Sequence, residues 1–173
     1  AQAKAYEQSL FERLVKQLRE QEKVDNIKRV VMLDTQYRMH PRLGDFISKQ
    51  FYESEGLDVL HSGRPAQHFV HTIPGYQGKC AAWLDVPLQD GKEKFLKPGY
   101  ERRAEAISIA KEVKRIADSC GPSLSIGVIS FYRAQCDVIL DALADEGLAE
   151  EEDGEVRIAR SYRQTESGDE RLR

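Results

Sequence analysis

Leu10, Leu14, Val15 and Leu18 recur at helical spacing through residues 7–22, with lysine, arginine, glutamate and glutamine on the other faces, so the pattern predicts an amphipathic helix. The next apolar stretch has a different rhythm. Val30, Val31, Met32 and Leu33 run without interruption into Asp34, as a strand buried on both faces would. A turn then leads to Pro41, suited to a first helical position because its missing N–H costs nothing there, and Leu43, Phe46, Ile47 and Phe51 form one helical stripe. Residues 55–99 read as an irregular insertion rich in glycine and proline, with one strand expected over Ala81–Val86 around Trp83 and Leu84. A long helix follows over Glu101–Asp118, ended by Gly121-Pro122. Ile126–Ser130 is the next predicted buried strand, and Ala134–Ala144 the next helix.

Two strand-turn-helix units with near-continuous apolar strands predict an α/β fold: a mostly parallel sheet with helices on both faces. Ligands of such sheets gather at the carboxyl ends of the strands. Two segments fall there, Gln36-Tyr37-Arg38-Met39-His40-Pro41 and Ser130-Phe131-Tyr132-Arg133-Ala134-Gln135.

Composition narrows the class. The chain has 173 residues, 40% hydrophobic and 32% charged, which fits one water-soluble domain spanning residues 1–173. No apolar run approaches the ~20 residues of a membrane span, so no membrane partner is expected and the cytoplasm or nucleus is the expected compartment. Cys80, Cys120 and Cys136 are an odd set without a CxxC pair, which argues against a disulfide framework. The net charge of −3, from 26 basic and 29 acidic groups, excludes a strongly basic coat protein but leaves room for a local phosphate-binding surface. Acidic groups concentrate in residues 145–173, which read as a solvated loop or tail around Glu150–Asp153.

Arg38 follows a predicted strand and precedes a helix, so its guanidinium belongs at the rim of the sheet. A planar, permanently charged fork there suits a phosphate, because it donates paired hydrogen bonds and neutralises charge developing in phosphoryl transfer. From spacing alone an ion pair with Asp34 or a neighbouring carboxylate is the favoured alternative. Tyr37 offers a flat face for a base, or packs with its hydroxyl in water. Tyr132 and Arg133 repeat the aromatic-plus-arginine pair, the combination that grips single-stranded nucleic acid by stacking and charge. Ser130 adds a hydroxyl for a phosphate, or caps the following helix.

Gly75-Tyr76-Gln77-Gly78-Lys79 has two residues between its glycines where a phosphate loop needs four, and Cys80 follows the lysine in place of Ser or Thr. Neither Asp145-Glu146 nor Asp169-Glu170 follows an apolar strand, so neither is placed as a magnesium-binding acid. His61, His68, His71 and Cys80 match no zinc spacing. No metal site is expected.

The string Gln36-Tyr37-Arg38-Met39-His40-Pro41, the helix after it with Phe51-Tyr52-Glu53, and Gly127 through Gln135 closely resemble the second RecA-like domain of superfamily 1 helicases, in the branch of the up-frameshift helicase. The resemblance covers nearly the whole chain and implies a RecA-like fold, incomplete at its C-terminal end. It implies that Arg38 is an arginine finger reaching the γ-phosphate of ATP held between two lobes, that Tyr37 stacks on the adenine, and that Gln36 supports the turn. Ser130, Tyr132 and Arg133 inherit a place on the single-strand path. ATP and Mg2+ are implied as cofactors of the intact enzyme, with single-stranded DNA or RNA and the first RecA-like lobe as partners. Ser130-Phe131 replaces the family's usual Thr-Pro, keeping a hydroxyl and losing a rigid proline. The family's phosphate loop and magnesium acid would precede these residues and its later motifs would follow them. The chain thus reads as a fragment of an ATP-dependent helicase, itself inactive and binding no cofactor alone, with a non-catalytic RecA-like nucleic-acid-binding or docking module as the alternative.

Overall fold

The computed structural model describes residues 9–173. The single domain expected over the chain divides into two compact units, Ala1–Phe69 and Val70–Arg173.

In the first unit, helix α1 (Leu10–Asp25) begins where the Ser9 hydroxyl accepts the Glu12 N–H at 3.1 Å, and ends at Asn26, whose φ of 58° makes the left-handed turn. The carboxylate of Glu22, in its last turn, accepts the N–H groups of Arg29 and of Val30, the latter at 2.6 Å. These donors hold the Glu22 carboxyl below the usual carboxylate range. Strand β1 (Thr35–Gln36) pairs in parallel with β2 (His61–Ser62), in the register Thr35 to His61 and Gln36 to Ser62. Between them run helix α2 (Pro41–Ile47) and a π-helical turn over Ser48–Tyr52. The fully buried Ser48 ties this crossover down: its hydroxyl accepts the Leu60 N–H at 2.9 Å and donates to Glu53 at 2.8 Å. The result is a small βαβ unit.

The second unit is built on two helices, α3 (Arg103–Cys120) and α4 (Arg133–Asp145). Ala106, Ala110, Val113 and Ala117 make a buried stripe of small side chains on α3, and the first three share one core cluster with Ile139, Ala142 and Leu143 of α4. Helix α4 ends in a Schellman motif, with Gly147 at φ 74°, the Leu148 N–H on the Leu143 carbonyl at 2.8 Å, and Leu148 completely buried in the core. Burying that side chain contributes about 2 kcal/mol. The antiparallel hairpin β3 (Lys94–Leu96) and β4 (Gly99–Glu101) precedes α3. The C-terminal segment returns alongside Ile126–Val128, with the Ile126 N–H on the Arg171 carbonyl and the Val128 N–H on that of Arg173, a short parallel bridge.

The four predicted helices form within a few residues of the expected bounds, and the architecture is a partial RecA-like α/β fold. The strands differ from expectation. Among the described residues parallel pairing is confined to β1–β2 and to the Ile126–Leu172 bridge, and residues 30–33 and 81–86 lie outside any ladder. A parallel ladder needs a neighbour delivered by a crossover of a dozen or more residues, and the described chain supplies few. The segment 126–130 therefore covers only one face: Ile126 and Val128 pack on the helical core while Ile129 is 94% exposed. Trp83, a marker of the strand expected over Ala81–Val86, is 91% exposed.

The acidic stretch is also not the loop or tail expected over 145–173. Ala149–Glu152 (β5) and Glu155–Ile158 (β6) form a hairpin turned by Asp153-Gly154, both at positive φ, as a two-residue type I′ turn requires. Glu150 stands opposite Arg157, and Glu152 binds the guanidinium groups of Arg160, at 2.7 Å, and Arg163. Arg160 first, then Arg163, holds the Glu152 carboxyl down at about 2. A depressed carboxylate stabilises the fold above its unfolded value, and that stabilisation fades as pH falls through the folded one. The β5–β6 hairpin is thus expected to stay formed on acidification from pH 7 to about 5 and to loosen between about 4.5 and 2, followed by amide shifts of Val156 and Ile158. Glu152→Gln should remove that acid limb, and persistence of the limb in the variant would refute the assignment.

Candidate sites at two strand ends

At the end of β1 the side chain of Gln36 organises the turn. Its Oε1 accepts the N–H groups of Arg38 at 2.9 Å and Met39 at 2.7 Å, while its Nε2 donates to the Met39 carbonyl at 3.0 Å and the Ser62 hydroxyl at 2.8 Å. One amide thereby satisfies a backbone that leaves the strand with no ladder partner. His40 then closes the turn as the cap of α2, its Nδ1 accepting the Arg42 N–H at 3.1 Å, with Pro41 in the first helical turn. Gly44 allows this close packing, because a Cβ there would lie 2.7 Å from the Ser62 hydroxyl and 3.0 Å from the Gln36 amide nitrogen.

Tyr37 and Arg38 sit at the apex of this turn, both exposed. Among the described residues the Arg38 guanidinium has no ion-pair or hydrogen-bond partner, so the pair with Asp34 favoured by spacing does not form; the Asp34 carboxylate accepts the Thr35 hydroxyl instead. The Tyr37 ring lies against Gly63, where a Cβ would stand 2.3 Å from the ring, and the residue as a whole remains 62% exposed. Arg64 extends from the same neighbourhood: its guanidinium lies 4.7 Å over the Phe69 ring and reaches the Tyr37 carbonyl at 3.5 Å. Ser62, Gly63 and Arg64 were invisible to spacing arguments, because only the parallel pairing of β2 with β1 brings them to residues 36–38.

At the other strand end, Ser130, Tyr132 and Arg133 lead into α4. The Ser130 hydroxyl lies 3.5 Å from the Tyr132 N–H, too long for a firm cap. Among the described residues Arg133 is paired only with Asp137 at 3.3 Å on an exposed helix surface, which leaves its guanidinium open to solvent. Gln135, whose role the sequence did not disclose, is buried and clamps the start of α3: its Oε1 accepts the Arg102 N–H at 2.6 Å and its Nε2 donates to the Arg102 carbonyl at 3.2 Å.

Metal-binding residues do not assemble. Among the described residues no three His, Cys, Asp or Glu side chains come together, and His71 instead bonds the Lys79 carbonyl at 2.8 Å beside a hollow of about 300 Å³ that Cys80 also lines. No helix of the described residues is long and apolar enough to cross a membrane.

The parallel βαβ crossover of the first unit and the helix-covered parallel bridge of the second are the parts of a partial RecA-like α/β fold. The family described as AAA domain matches residues 6–162, and the chain belongs to it, as a superfamily 1 helicase domain of the up-frameshift branch. It is 32% identical over 139 residues to "Putative ATP-dependent RNA helicase ECM32" of Saccharomyces cerevisiae, covering 79% of this chain and 12% of that protein. It is 30% identical over 164 residues to "Regulator of nonsense transcripts 1 homolog" of Neurospora crassa, covering 92% of this chain and 13% of the relative. The protein of the same name in Arabidopsis thaliana is 32% identical over 145 residues, 81% of this chain and 10% of its own length. The chain thus spans about an eighth or less of these relatives. No solved structure matches.

Proposed function

We propose that this chain is part of the second motor lobe of an ATP-dependent RNA helicase or translocase, in which Arg38 acts on the triphosphate and the Ser130–Arg133 turn lies on the single-strand path. The observation that carries this reading is an exposed guanidinium, unpaired among the described residues, on a turn whose backbone is fixed by the Gln36 amide. Such a group does its work when a triphosphate is presented to it: it donates two parallel hydrogen bonds and stabilises the charge that grows on the transferring phosphoryl oxygens. Tyr37, backed by Gly63, presents its free face to the purine. Magnesium would neutralise phosphate charge in that chemistry; the described residues offer it no set of ligands, so it falls to residues outside them. Closure of two lobes around Arg38 on ATP binding, and their release after hydrolysis, would convert turnover into movement along the strand.

Arg38 works only opposite a phosphate cradle, and the sequence holds none. The 173-residue chain alone is accordingly expected to show no magnesium-dependent ATP hydrolysis, whereas the full-length protein hydrolyses ATP faster with RNA present. Turnover by the isolated chain, abolished by Arg38→Ala, would overturn the reading.

A further inference from the structure

The sequence places Lys94–Leu96 in an irregular insertion over 55–99 and Glu101 at the start of a helix, yet Lys94–Leu96 and Gly99–Glu101 pair as a hairpin whose aromatic side chains connect with the turn that carries Tyr132. In the register of the hairpin Phe95 stands directly opposite Tyr100, so the two rings share one face of the ribbon. Their centroids are 5.1 Å apart, and the Tyr100 ring is 5.5 Å from that of Tyr132. Gly99, next in the hairpin, makes the junction possible: a Cβ there would lie 3.0 Å from the Tyr132 ring. Three rings from two separate loops thus form one continuous row. That row remains open to solvent, Phe95 at 62% exposure, and Phe131 beside it is fully exposed.

We propose that Phe95 and Tyr100 extend the single-strand path, offering two further faces for unpaired bases beyond Tyr132; the proposal rests on the nucleic-acid reading of the Tyr132 turn. Charge selects this occupant over an apolar peptide. Lys92, Lys94 and Lys97 punctuate the hairpin and Arg133 flanks the row, against the acids Glu93, Glu101 and Asp137, the last paired with Arg133 at 3.3 Å, and all four cations are exposed. Cations interleaved with aromatic rings match a phosphate chain whose bases have unstacked, and each stacked base is worth enough to shift affinity about fivefold or more. The rings meet at 56° and 60° rather than in parallel, so each presents its own face, and a strand crossing them is gripped base by base without sequence readout.

The test compares a fluorescent oligouridylate with an abasic ribose-phosphate oligomer of equal length, by anisotropy, on the chain itself. The wild type is expected to favour the oligomer that has bases. Phe95→Leu and Tyr100→Leu, which keep apolar bulk and remove the ring faces, should each narrow that preference about fivefold or more and leave the salt dependence of binding unchanged. Arg133→Ala should do the reverse, lowering the slope of log affinity against log salt by about one and leaving the preference intact. If the leucine variants match the wild type while Tyr132→Leu loses the base preference, the hairpin has no part in the path and only this inference fails. An equal fall for both oligomers in the leucine variants would also overturn it, because lost folding and not lost faces would be the cause. Failure of the wild type to prefer bases, or to bind at all, would remove the nucleic-acid reading along with it.

Discussion

Replacing Arg38 by alanine in the full-length protein is expected to lower kcat for ATP hydrolysis by about a thousandfold or more, with KM changed far less. The size follows from where the charge acts. A guanidinium that meets the triphosphate only in the closed arrangement contributes little to the first encounter and much to the transition state, so its loss appears in turnover. Arg38→Lys keeps the positive charge but loses the fork that places two N–H groups on one phosphoryl oxygen pair, and should recover only a small part of the rate. Two further variants separate the finger from its support. Tyr37→Ala removes the ring face proposed to stack on the purine and should raise KM more than it lowers kcat. Gln36→Ala releases the Arg38 and Met39 N–H groups, the Met39 carbonyl and the Ser62 hydroxyl, and should lower kcat through misplacement of Arg38, by less than removal of Arg38 itself. Steady-state ATPase assays at saturating RNA read all four. An Arg38→Ala turnover within a few-fold of wild type would mean that the open guanidinium serves another purpose.

Much of this geometry was legible in residue order because it is local. Pro41 and the stripe from Leu43 to Ile47 specify a helix start; Gly121 ends α3 with φ 65°, as its place before Pro122 suggests. The strands were legible only as apolar segments. Whether Val30–Leu33 or Ile126–Ser130 is covered on one face or two depends on which distant segment pairs alongside, and chain order does not encode that pairing. The acidic stretch misled for a different reason: charge density argued for a solvated loop, while Asp153-Gly154, a strong hairpin signal, lay inside it. The ion pairs of Glu152 with Arg160 and Arg163 then turn the acidic run into part of a folded edge. Of the sites, the Arg38 turn was readable because Gln36 to Pro41 are contiguous. Arg64, Phe95 and Tyr100 were not, since each reaches its neighbours through pairing across a turn or a sheet.

Arg102 carries the second large expectation, on stability. Its side chain is almost wholly enclosed, and it closes the loop before α3 onto the helix: Nε donates to the Gly91 carbonyl at 2.8 Å, Nη2 to the Val86 and Pro87 carbonyls at 2.9 and 2.7 Å, and Nη1 to the Glu105 carboxylate at 2.8 Å. Arg102→Ala leaves three carbonyls and a carboxylate without that donor set, and is expected to destabilise the Val70–Arg173 unit by about 2–4 kcal/mol. Hydrogen exchange of the buried Ala106 and Ala110 amides should then accelerate by roughly thirtyfold to a thousandfold. A lysine at the position reaches one acceptor with a single ammonium group and should restore only a minor part of the protection. Gln135→Leu attacks the same junction from α4, leaving the Arg102 N–H without its acceptor and the Arg102 carbonyl with the Ala106 N–H alone. Because both side chains fix one stretch of backbone, the double variant should lose less than the sum of the two singles, a coupling that independent sites would not show. Exchange in Arg102→Ala within about threefold of wild type would mean that the loop Val86–Gly91 is held by something other than this guanidinium.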